Sequence, residues 1–122
     1  MGKVIMVVDD SATIRQVVAM ALKAEGYDVI EACDGLDAMG KLKGQKINLM
    51  ISDVNMPNMD GITLVKEMKK LPEHKFTPVI MLTTESQDAK KAEGQAAGAR
   101  AWVVKPFQPV QMLSAVSKLV LP

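Results

Sequence analysis

Five short apolar runs, alternating with stretches of helical periodicity, constrain this chain more than any other feature. The runs are Val4 to Val8, Tyr27 to Ala32, Ile47 to Ser52, Val79 to Thr83 and Ala101 to Val104. Most are apolar at nearly every position, not every second one, which predicts strands buried on both faces. Between the first two runs, Ile14, Val17, Val18, Ala21 and Leu22 recur at helical spacing, and Gly26 closes that helix. A second, short helix is predicted over Leu36 to Leu42, after the turn Asp34-Gly35. Ile62, Leu64, Val65, Met68 and Leu71 mark a third, which stops before Pro72. Gln87 to Ala97 has only small residues for an apolar stripe and Gly94 inside it, and is predicted as the fourth. The fifth runs from Pro109, suited to a first helical turn, to Leu121, with Met112, Val116, Leu119 and Val120 on one face.

Alternating strands and helices imply an α/β domain with a parallel sheet. Right-handed crossovers then bring the C-terminal ends of all strands to one edge, where open α/β sheets bind ligands. The residues at those ends are chemically distinctive. The first strand ends in Asp9-Asp10, the third in Asp53, the fourth in Thr83-Thr84 and the fifth in Lys105-Pro106. The third shows the change most sharply, because "INLMISDVNMPNMDG" passes from an apolar run to acid, amide, proline and glycine within a few residues. Carboxylates converging on one crevice repel one another unless a cation is present. Lys105 supplies one positive charge, and a hard divalent ion with oxygen ligands would supply the rest. Mg²⁺ suits such a site, since it takes one or two carboxylates, keeps waters and leaves room for phosphate oxygens.

Other classes recede on composition. With 122 residues the chain fits one domain. Its 15 basic and 14 acidic residues nearly cancel, without a block of either sign, so no nucleic-acid surface is indicated. The single cysteine, Cys33, excludes an internal disulfide and reads as a small buried hydrophobe. MGKVIMVVDD lacks the apolar region of a signal peptide, and MGKVIM lacks the hydroxyl residue of a myristoylation site. The expectation is a cytoplasmic protein with no membrane insertion. His74, between Pro72 and Pro78 and without a second histidine or a cysteine pair, reads as a solvated loop residue and not a zinc ligand. The ten methionines read as gap-filling core residues, with Met56 and Met59 as loop exceptions.

Taken singly, the strand-end residues have ordinary readings. Asp9-Asp10-Ser11 would cap a helix, Asp53 would sit in a turn, Thr83 would be a strand residue and Lys105 a solvated charge. Together, and in order, Asp9-Asp10, Asp53 within "DVNMPNMDG", Thr83 and "VVKPF" at 103 to 107 resemble the receiver domain of two-component response regulators. The resemblance covers the whole chain, 1–122, with no output domain, and is closest in kind to single-domain chemotaxis regulators. It implies a flavodoxin-like α/β fold, a five-stranded parallel sheet in the order 2-1-3-4-5 with five flanking helices.

The same resemblance implies roles. Asp53 would be the phosphoacceptor, taking a phosphoryl group from a phosphohistidine on a histidine kinase. Asp10, Asp53 and the backbone carbonyl of Asn55 would bind Mg²⁺, and Asp9 would do so through water. Lys105 and Thr83 would hold phosphoryl oxygens, with a cis peptide at Lys105-Pro106 aiming the ammonium inward. Gly61 and Pro57 would shape the loop after the nucleophile, and Asn55 and Glu85 would flank the site. Thr83 would be coupled to an aromatic switch residue, here Trp102, where tyrosine or phenylalanine is usual in the family. Such a domain is no enzyme in the ordinary sense, although it assists its own phosphorylation and dephosphorylation. Its partners would be the kinase, possible phosphatases and a downstream protein, with the flagellar motor switch first. A phosphate sink, a relay intermediate or an adaptor outside chemotaxis are the alternatives.

Two other classes compete. A small Mg²⁺-dependent aspartyl phosphatase of the haloacid-dehalogenase type needs its two aspartates two residues apart, whereas "VVDDSAT" sets them side by side. A flavodoxin-like flavin binder would need hydroxyl or glycine donors for a phosphate where Asp9-Asp10 would repel one.

Overall fold

A computed structural model of the chain describes residues 3–84, 93, 95–105 and 108–120. The described elements are β1 (Val4–Val8), α1 (Ala12–Ala24), β2 (Asp28–Ala32), α2 (Gly35–Leu42), β3 (Leu49–Asp53), α3 (Gly61–Lys69), a 3₁₀ turn (Pro72–His74), β4 (Val79–Thr84), β5 (Ala101–Lys105) and α4 (Pro109–Leu119). The helix expected over 87–97 falls largely outside the described residues, although Glu93 and residues 95–97 are helical. The Lys105-Pro106 peptide and Glu85 also lie outside them.

All four strand pairings are parallel, and the sheet order is β2-β1-β3-β4-β5. The pleat sends alternate side chains to opposite faces. Met6, Val8, Met50 and Met81 pack on one side with Ala38 and Leu42 of α2 and Leu64, Val65 and Met68 of α3. Ile5, Val7, Ile51, Ile80 and Leu82 pack on the other with Val18 and Leu22 of α1 and Met112 and Val116 of α4. Full burial holds for the central strands: every residue of β3 is buried. The outer strand β2 follows another rule, with Asp28 exposed and the next three residues half-buried, because only one neighbour covers it.

Local signals set the helix starts. The Ser11 hydroxyl accepts the Ile14 N–H at the start of α1, Asp34 accepts the Asp37 N–H at α2, and Asp60 accepts the Thr63 N–H at α3. Pro109 opens α4 as its first residue.

Three expectations about single residues fail here. Met20 is 70% exposed and is not a gap-filling core residue, because it lies off the face of α1 that buries Val18, Ala19 and Leu22. His74 is fully buried, not solvated, because the turn after α3 folds under the end of α2. Its Nε2 lies 3.2 Å from the Leu42 carbonyl, which can only accept, so Nε2 carries the proton; buried Nδ1 has no partner among the described residues. Cys33 is exposed, not buried, because it follows the last residue of an edge strand as the chain turns into α2.

Candidate functional site

The third strand is a rigid mount. Leu49, Met50, Ile51 and Ser52 have no exposed surface, and Asp53 follows them at the sheet edge with 9% of its surface exposed. β1 runs parallel beside β3, with Val8 opposite Ser52, so the residues after Val8 emerge next to Asp53. One carboxylate oxygen from each of Asp9, Asp10 and Asp53 lies within 4.8 Å of the others. Asp9 is buried and Asp10 exposed, so the cluster has a dry floor and an open rim.

Asp9 and Asp53 are fixed by their surroundings. Asp9 Oδ1 accepts the Ser11 N–H at 2.9 Å, and the Asp9 carbonyl accepts Arg15 Nη1 at 2.8 Å. Arg15 also pairs through Nε with Glu31 of β2 at 3.1 Å, bracing the end of β1 against its neighbour. Asp53 Oδ1 accepts the Val54 N–H at 2.8 Å, and the Ser52 hydroxyl donates to the Asp53 carbonyl at 2.9 Å.

The loop from Asp53 to α3 folds back on its own start. Gly61 N–H donates to the Val54 carbonyl at 2.8 Å, and a Cβ on Gly61 would lie 2.0 Å from the Asp53 carbonyl oxygen. Only glycine permits that approach. The far side of the loop is tied to the start of α2. Asn58 Nδ2 donates to Asp34 Oδ2 at 2.7 Å, and Gly35 N–H donates to the Met59 carbonyl at 3.2 Å. Asn58 adopts φ 68°, a left-handed conformation that asparagine tolerates. These ties escape a reading of Asp34-Gly35 and "NMD" as separate turns, because nothing in either segment announces the other.

The Asp34 carboxyl is held below its ordinary value of 3.8 by the Asp37 N–H first and the Asn58 amide second. A depressed folded-state pKa contributes stability above the ordinary value, and that contribution is lost as pH falls through the lowered one. Titration followed by NMR should therefore move the Asp37 backbone and Asn58 side-chain amides with an inflection below 3.8. An inflection above it would remove this account of the tie.

Of the remaining expected residues, Thr83 is buried on β4, opposite Val104, one residue beyond the Asp53–Leu82 pair. Lys105 ends β5 opposite Thr84, so its backbone stands at the same sheet edge as Asp9, Asp10 and Asp53. Asn55 is exposed in the loop two residues after Asp53. Trp102 lies opposite Met81 and is half-buried against the cluster shared with α2 and α3. Three hard carboxylates on one edge fit Mg²⁺ in kind and charge, with the open rim left for water and phosphate oxygens.

This architecture and edge define a class, an α/β domain of the flavodoxin-like type with an acidic site at its strand ends. The chain belongs to the response regulator receiver domain family, which matches residues 5–117. It is thus a CheY-like receiver of two-component signalling. It is 43% identical to the chemotaxis protein CheY4 of Vibrio cholerae, with a TM-score of 0.93 over 98% of this chain and 99% of that one. Protein PilG of Pseudomonas aeruginosa is 38% identical over 94% of this chain and 85% of its own length. The transcriptional regulatory protein ResD of Bacillus subtilis is 37% identical over 94% of this chain, which spans 47% of ResD.

Proposed function

We propose that this receiver is a phosphoryl-accepting switch, with Asp53 as the acceptor. The observation that carries the reading is the convergence of Asp9, Asp10 and Asp53 within 4.8 Å, with Asp53 at the end of a fully buried strand. A carboxylate oxygen of Asp53 attacks the phosphorus of a phosphohistidine; the new P–O bond forms as the P–N bond to the kinase imidazole breaks. Asp10, Asp53 and the Asn55 carbonyl would hold Mg²⁺, and Asp9 would do so through water. When bound, the ion would supply charge neutralisation between the acids and the phosphoryl oxygens. Lys105 and Thr83 hold those oxygens after transfer.

The phosphoryl group adds about two negative charges near neutral pH, and its bonds to Thr83 and Lys105 select one of two conformations. Trp102, linked to β4 through the Met81 pairing, follows that change. Its bulk and donor-only N–H make its movement smaller than that of the usual tyrosine or phenylalanine. Chemotaxis is the favoured setting, supported by the likeness to the chemotaxis protein CheY4, with the flagellar motor switch as target and the cytoplasm as location. No helix among the described residues is long and apolar enough to cross a membrane.

Intact mass after incubation with Mg²⁺ and acetyl phosphate tests the reading. The native protein should gain one phosphoryl group only when Mg²⁺ is present, with a change in Trp102 fluorescence. No gain with any small phosphodonor, despite Mg²⁺ binding, would point to a receiver that signals without phosphorylation. A gain without a fluorescence change would leave the acceptor in place and remove Trp102 from the switch.

A further inference from the structure

At the sheet edge opposite the acids, the segments entering β4 and β5 enclose a concavity of about 520 Å³. It is lined by the apolar residues Phe76, Pro78 and Ala99, by the amide of Gln95 and by the cations Lys69, Lys75 and Arg100. Phe76 is 87% exposed, which leaves a large aromatic side chain in water beside three cations. Lys75 Nζ sits 5.7 Å from the Phe76 ring centroid. None of the three cations pairs with a carboxylate among the described residues, and the Lys69 ammonium donates to the Thr77 carbonyl. Burial first, and the Arg100 charge second, pull the Lys69 ammonium below its ordinary value, so an added anion relieves an existing repulsion.

We infer that this concavity docks an acidic segment of a protein partner, its carboxylates on Lys69, Lys75 and Arg100 and an apolar side chain against Phe76. Charge complementarity favours an acidic occupant, and an exposed aromatic beside arginine has the makings of a binding hot spot. One further observation favours a peptide over a phosphate ligand. The Gly98 and Arg100 backbone N–H groups, natural phosphate donors, are already committed to the Gln95 and Val79 carbonyls at 3.1 and 2.9 Å. Because the site lies at the far edge from Asp53, a partner held there leaves the acids open to a kinase.

The test is ¹⁵N–¹H NMR of the full chain with the peptide Glu-Glu-Leu-Glu-Glu, its Glu-Glu-Gly-Glu-Glu and Lys-Lys-Leu-Lys-Lys counterparts, and ATP. The first peptide should shift amides at 69, 75–77 and 95–100, weaken as salt rises, and lose about 10-fold or more in affinity in Phe76→Ala and Arg100→Glu. Both positions are exposed, so these variants fold. No shift with the acidic peptides, equal shifts with the lysine peptide, or binding unchanged in both variants would overturn the proposal. Shifts with ATP alone would replace the peptide by a nucleotide.

Discussion

Asp53→Asn protein is expected to gain no phosphoryl mass under conditions that label the native chain, a loss of at least about 10³-fold in rate. The amide has nearly the shape of the carboxylate but lacks the anionic oxygen proposed as the nucleophile. Its carbonyl oxygen can still accept the Val54 N–H, the 2.8 Å bond made by Asp53 Oδ1, so the strand end and its loop should hold their form. Removing one of three clustered charges should also weaken Mg²⁺ binding, because the remaining pair attracts the ion less. Intact mass reads the first effect and Mg²⁺ titration of Trp102 fluorescence the second. Persistent labelling of the variant would move the acceptor to another acid, and Asp10, exposed at the rim, would be examined first.

Gly61→Ala should be the most disruptive single-methyl change in the domain, at about 2–4 kcal/mol of folding stability. The added Cβ would stand 2.0 Å from the Asp53 carbonyl oxygen, 3.0 Å from its carbon and 2.9 Å from the Met81 methyl. The methionine end can swing away; the Asp53 backbone cannot, since it sits in a fully buried strand. Relief must come from the loop, so the variant should also bind Mg²⁺ more weakly through displacement of Asn55. Gly40→Ala is the matched control. Gly40 lies exposed within α2 with nothing within 4 Å of its added Cβ, and alanine there should stabilise by about 0.5–1 kcal/mol. Denaturant midpoints at constant m-value compare the two. Gly61→Ala within about 0.5 kcal/mol of the native protein would show that the loop relaxes freely.

The sheet was legible because its information is local. Five apolar runs name five strands, and the parallel arrangement follows from the crossovers between them. The acids were legible for the same reason: a charge at the end of a buried run has few places to go. What escaped depends on contacts between segments far apart in the chain. His74 looks solvated beside two prolines, yet the turn after α3 tucks it against the Leu42 carbonyl. Cys33 ends an apolar stretch, yet that stretch belongs to an edge strand. Asp34 and Asn58 are each unremarkable turn residues until the fold sets them 2.7 Å apart. Arg15 gave no signal at all, because its two partners are a backbone carbonyl and a side chain on the neighbouring strand.

Met81 has a consequence for the chemical lifetime of the protein. Its side chain meets Gly61 at the start of α3, its strand position pairs with Trp102, and none of it reaches solvent. Met6, Met50, Met68 and Met112 are equally enclosed, whereas Met20 is 70% exposed. An oxidant therefore meets a sacrificial thioether on the surface first and reaches the core sulfurs only when the domain opens. A sulfoxide at Met81 would put a polar oxygen into the buried core between Gly61 and the strand that carries Trp102. Oxidative damage thus becomes damage to signalling when it passes from Met20 to Met81.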